Sequence, residues 1–139
     1  MPNKPLQPTA KPLRGPRRLS AGVRNSRGLA MEIRGIPFGT TDWSKIEATE
    51  HHGETGTAYW RTCQFGVIRV RMVEYTPGYL ADHWCSKGHI LLCLEGELHT
   101  ELPDGRRFTL TPGMSYQVAD GAEPHRSSTK VGAKLFVVD

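Results

Sequence analysis

Apolar and polar side chains alternate along the second half of this chain in runs too short for helices. In GVIRVRMVEY (66–75), Ile68, Val70 and Met72 fall on one face and Arg69 and Arg71 on the other, the two-residue period of a strand. Thr76-Pro77-Gly78 stops that run, and Glu95-Gly96 stops the mostly apolar run from His89 to Leu94. Leu98, Thr100 and Leu102 then oppose His99 and Glu101, which puts His99 on the solvent face, and Pro103-Asp104-Gly105 has the composition of a hairpin turn. Arg107 to Leu110, Ser115 to Val118 and Lys134 to Val138 read as the remaining strands. Only TDWSKIEATE (41–50) reads as helical, with Thr41 or Asp42 as its cap. Short strands punctuated by Gly and Pro predict an all-β antiparallel sandwich or barrel with one short N-terminal helix or turn. There is no strand–helix alternation and no glycine-rich phosphate loop, which argues against a nucleotide-binding α/β fold.

Charge divides the chain in two. Residues 1–30 hold seven of the 18 Lys and Arg and no acid; from Met31 onward eleven basic residues face 14 acidic ones, a net of −3. The overall +4 thus comes from the tail, and a nucleic-acid role would rest on the tail alone. The rest of the chain offers no support for one, so no nucleic-acid partner is expected. The tail carries Pro2, Pro5, Pro8, Pro12 and Pro16 and almost no apolar period, so disorder is expected there. It resembles the translated recombination-site repeats beside mobile gene cassettes in bacterial integrons. That resemblance implies upstream read-through ahead of a single domain, 31–139, which starts MEIRGIPF. No apolar run approaches the ~18 residues that cross a membrane, and no secretory apolar core stands near the N-terminus. A cytoplasmic protein without a membrane partner is expected.

The chemistry concentrates in DHWCSKGH, Asp82 to His89. On an extended strand His83 and Cys85 would share a face and reach one ion. A short bend through Gly88 brings His89 back to the same centre, and His125, in GAEPHR, offers a fourth ligand from the far end of the domain. Asp82 reads equally as an acceptor for a ligand imidazole or as a turn cap. Three cysteines, at 63, 85 and 93, form no C-x-x-C pair, so free thiols or a metal ligand are expected. Cys63 and Cys93 read as small buried apolar groups. His51 and His52 read as an exposed loop pair, and Trp60 and Trp84 as closing the barrel. Cys85 beside His83 or His89 also permits a thiolate–imidazolium nucleophile, but no oxyanion-hole signature accompanies it. If the Arg69/Arg71 face lines the barrel, the pair is a clamp for a carboxylate or phosphate. Tyr116 or Gln117, on the strand leading towards His125, would reach the same cavity.

These residues resemble the cupin superfamily. His83-Trp84-Cys85, three residues, His89, six residues and Gly96 follow the spacing of the first cupin motif, with Cys85 in place of its second His and His89 in place of its Glu. Thr76-Pro77-Gly78 matches the turn before that motif, one residue closer to His83 than usual. Pro112-Gly113, Gly121 and His125 resemble the second motif with one extra residue before the His. Its usual Pro, at Ala119, and its later Asn, near Thr129, are absent. Asp82-His83-Trp84-Cys85 is similar to the small "DHCW motif cupin fold" proteins. The resemblance implies a jelly-roll barrel with a divalent transition metal inside, held by His83, Cys85, His89 and His125, and a homodimer. A thiolate softens the site towards zinc or iron. All four ligands bound would make a closed tetrahedral zinc site; with Cys85 standing off, three imidazoles would leave an open one. The open site implies a metal-dependent enzyme of oxygenase or isomerase type on a small polar or anionic molecule. The closed one implies a binding or sensor protein with a structural metal.

Overall fold

The computed structural model describes residues 30–139. The disorder expected of the tail falls almost wholly on residues outside that range. Arg34–Asp139 forms one compact unit. A 3-10 turn at Trp43–Lys45 precedes nine strands: β1 Thr49–His52, β2 Thr57–Phe65, β3 Ile68–Tyr75, β4 His89–Gly96, β5 Leu98–Glu101, β6 Arg107–Leu110, β7 Ser115–Val118, β8 Arg126–Ser128 and β9 Ala133–Val138. A six-stranded sheet of order β1-β2-β3-β9-β4-β7 faces a three-stranded sheet of order β6-β5-β8, and every pairing is antiparallel. This is the all-β antiparallel architecture that the alternation predicts, in the jelly-roll form that the resemblance implies. No helix among the described residues is long and apolar enough to cross a membrane.

Three local expectations are corrected. Residues 41–50 do not form a helix beyond the 3-10 turn. Asp42 does cap that turn, accepting the Ser44 N–H, but Thr49 and Glu50 pair instead with Trp60 and Tyr59. A ten-residue segment without an apolar stripe cannot hold a helix alone, whereas the edge of β2 offers a ready ladder. His51 and His52 therefore lie on the exposed edge strand β1 rather than in a loop. The strands β2 and β8 were not anticipated. Their inward positions mix polar and apolar residues, which blurs the two-residue period.

The inner face of the large sheet is built in layers. Val73 pairs with Leu135, and Leu135 with Cys93. These three are at most 4% exposed and pack with Leu98 and Leu110 from the small sheet. One step towards the end of the sheet, Arg71 pairs with Val137, Val137 with Leu91, and Leu91 with Tyr116. One step further, Arg69 and Asp139 bond backbone to backbone, while His89 pairs with Val118. Because strand side chains alternate faces, β3, β4 and β9 each pass from core residue to polar residue at the same end of the barrel. The functional residues are the continuation of the core rows.

Gly96, which closes β4, has φ +74°, and a Cβ there would stand 2.0 Å from the Gly132 carbonyl oxygen. Gly105 has φ +91° with nothing within 4 Å. Gly105→Ala should cost about 1–2 kcal/mol from backbone strain alone. Gly96→Ala should cost clearly more, because the β4–β9 contact must also move. Urea denaturation of the two variants checks the ordering.

Candidate metal centre

Three donors from distant parts of the chain meet at the polar end. Cys85 sits in the connection between β3 and β4 and forms an isolated antiparallel bridge with His125. The Cys85 N–H donates to the His125 carbonyl at 2.8 Å, and the His125 N–H to the Cys85 carbonyl at 2.9 Å. His89 opens β4. One ligand atom from each of Cys85, His89 and His125 lies within 4.8 Å of the others. The Nε2 atoms of His89 and His125 are 3.0 Å apart, and the Tyr116 hydroxyl is 3.0 Å from the same His89 Nε2.

The tautomers follow from the partners. His125 Nδ1 is 2.9 Å from the Glu123 carbonyl, which only accepts, so Nδ1 carries the proton and Nε2 presents a lone pair. Burial, with the charges of His125 and Arg71 behind it, lowers the His89 pKa to about 4. His89 is therefore a neutral imidazole near pH 7, the form that binds metals. Two nitrogens each about 2.0–2.1 Å from one ion can stand 3.0 Å apart. One sulfur and two nitrogens make a donor set that fits a transition metal.

Beside the cluster lies a buried charge group. Asp139, its side chain 1% exposed, accepts from Arg69 Nε at 2.7 Å and Arg69 Nη2 at 2.9 Å, and from Arg71 Nη2 at 2.8 Å. Burial works against the Asp139 carboxylate, but the Arg69 hydrogen bond and both guanidinium charges outweigh it and hold its pKa below the ordinary value. Arg71 stacks over Trp60, 4.5 Å from the ring centroid. Its Nε is buried without a hydrogen-bond partner. The cluster, both arginines, Trp60 and Tyr116 line one cavity of about 220 Å³.

No protein-family model matches the chain, and no curated protein matches it either. Solved structures do. A predicted oxalate decarboxylase from Thermotoga maritima aligns with a TM-score of 0.63 at 14% identity, over 72% of this chain and 96% of that one. Ectoine synthase from P. lautus gives 0.60 at 19%, over 73% and 76%. A sugar phosphate isomerase from a cupin superfamily, from Silicibacter pomeroyi, gives 0.57 at 15%, over 72% and 74%. The fold is the cupin barrel. At these identities the likeness is one of fold.

Within the cupin barrel the anticipated residues take different places. Cys85, His89 and His125 come together. His83 lines the same cavity but lies outside the donor cluster. Its side chain is 70% exposed and its Nδ1 is 2.6 Å from Asp82 Oδ1. The extended strand expected at 83–85 does not form: a bend at Asp82-His83 breaks the two-residue register with Cys85. Arg69 and Arg71 line the cavity, and so does Tyr116, whereas Gln117 lines a neighbouring chamber. Trp60 lines the cavity; Trp84 is 41% exposed and closes nothing. Cys93 is buried as expected and Cys63 half-buried. His99 is half-exposed and bonds to Thr109 and Glu97. Asp139 was missed, although Leu135, Val137 and Asp139 continue one alternating face.

Asp139→Asn removes the counter-charge of two partly desolvated guanidinium groups. It should destabilise the protein by about 3 kcal/mol, given what breaking a buried pair costs and that Arg69 is one-third exposed. Chemical denaturation measures it. In metal-free protein, unfolded His89 binds a proton from about pH 6.5 downward, whereas folded His89 binds one only near 4. Stability should therefore fall as pH drops through that window, and His89→Gln should flatten the fall in a pH series of denaturation curves.

Proposed function

We propose that this cupin is a metal-dependent enzyme, of oxygenase or isomerase type, acting on a small anionic molecule. The observation that carries the reading is one cavity holding both the Cys85–His89–His125 donors and a buried Arg71 whose Nε has no partner. Both guanidinium groups lie in this cavity, and the Arg71 Nε–H is a donor left for a ligand carboxylate or phosphate. Zinc or iron held by the three donors would supply a Lewis-acid or redox centre. The chain's own groups do the rest. Arg71 and Arg69 orient the anion, and Trp60 holds the Arg71 guanidinium flat. The Tyr116 hydroxyl keeps its proton, because burial pushes its pKa well above the usual value, and can donate at the cluster. The neighbouring folds include proteins named as a synthase, an isomerase and a predicted decarboxylase, which supports chemistry rather than storage in such a barrel.

His83 supports a second reading. It lines the same cavity, so turning away from Asp82 would make it a fourth ligand and close the site around a structural metal, as in a binding or sensor protein. Elemental analysis of purified full-length protein separates the two. In the enzyme reading, His125→Ala loses the metal by more than the ~10–100-fold typical of groups that only orient ligands, and His83→Ala keeps it. Loss of stoichiometric zinc in both His83→Ala and Cys85→Ser would establish the closed site. Wild-type protein that takes up no metal after loading would remove both readings.

A further inference from the structure

A second chamber, of about 240 Å³, adjoins the first and shares Tyr116 and His125 with it. It lies where the barrel is not stitched shut. β6 ends the small sheet and β7 ends the large one, and no ladder among the described residues joins them. Its walls are mainly apolar: Leu102 and Phe108 on one side, Val118 on the other. Phe108 is 47% exposed, a large apolar ring left at the opening. The Arg106–Glu123 ion pair spans the rim and ties the β5–β6 hairpin to the loop before His125.

Among the polar groups that line it, Thr100 lacks a partner. Thr100 is 4% exposed, and its hydroxyl is buried with no hydrogen-bond partner. Thr100 alternates inward with Leu98 and Leu102 and lines this chamber, and it also borders a groove beside His99 and Glu101. A buried hydroxyl without a partner costs about 1–3 kcal/mol, and a ligand oxygen placed there would recover that loss.

We propose that this chamber is a second ligand pocket and that the molecule bound is two-part. Its anionic end pairs with Arg71 in the first cavity, and an apolar arm carrying one oxygen passes His125 and Tyr116 to reach Thr100. The inference rests on the anionic reading of the first cavity. The two chambers together offer roughly the volume of a small-ligand site, on the order of 300–1,000 Å³. His89 Nε2 is the partner of the Tyr116 hydroxyl. Tyr116 therefore stands at the join, where a reacting bond would lie beside the donor cluster.

The test is isothermal calorimetry on the full chain with straight-chain carboxylates from acetate to octanoate, and with the matching alkanols. Carboxylate affinity should rise roughly fourfold for each methylene that enters the chamber. Phe108→Asp, at a half-exposed position that the fold tolerates, should abolish the rise and leave acetate binding unchanged. Val118→Phe, which fills the chamber, should also abolish the rise. Acetate binding with no dependence on chain length, or an equal slope in both variants, overturns the second pocket and leaves the anionic reading standing. Alkanols that bind with a slope lost in Phe108→Asp, while no carboxylate binds, overturn the two-part ligand and the anionic reading together.

Discussion

The Asp139 carboxylate, buried between two guanidinium groups, is the contact on which the polar end of this barrel depends. Arg71 could not lie inward without it, because an unpaired charge there would cost several kcal/mol. With it, β3 continues its inner row from Val73 through Arg71 to Arg69, and β9 its row from Leu135 through Val137 to Asp139. The Arg69–Asp139 backbone pair fixes the same register. The ion pair thus holds the two strands in step and keeps the cavity charged.

The donor cluster depends on a different device. Cys85 lies in an irregular connection, where a thiol position would ordinarily vary. The reciprocal backbone bonds to His125 remove that freedom and bring together a sulfur and an imidazole that are far apart in the chain. The Glu123 carbonyl then sets the His125 tautomer, and burial keeps His89 neutral. The protein alone thus fixes the Cys85–His125 backbone geometry, the His125 tautomer and the neutral state of His89.

Much of this was legible from spacing. The strands from β3 onward follow their alternation, apart from β8, and His89 and His125, both picked out by the motif spacing, lie side by side. The sequence could not show that Asp82-His83 bends. That bend turns His83 outward onto Asp82, although one intervening residue suggests a shared face with Cys85. Nor could it show which face of β3 lines the cavity. Ile68, Val70 and Met72 look like the buried side by hydrophobicity, yet Arg71 is 7% exposed and points inward beside Val73.

The local pattern by itself determined the fold class, most of the strands and the small set of residues able to bind a metal. Those properties depend on the period of the side chains and on donor chemistry, both written residue by residue. Tertiary structure alone decided which charges are buried, which donors converge and where the barrel stays open between β6 and β7. Each of those depends on a pairing between segments far apart in the chain: Asp139 with Arg69 and Arg71, and Cys85 with His125. No local period encodes such a pairing; the energy of burying a charge or a backbone group selects it once the sheets have met.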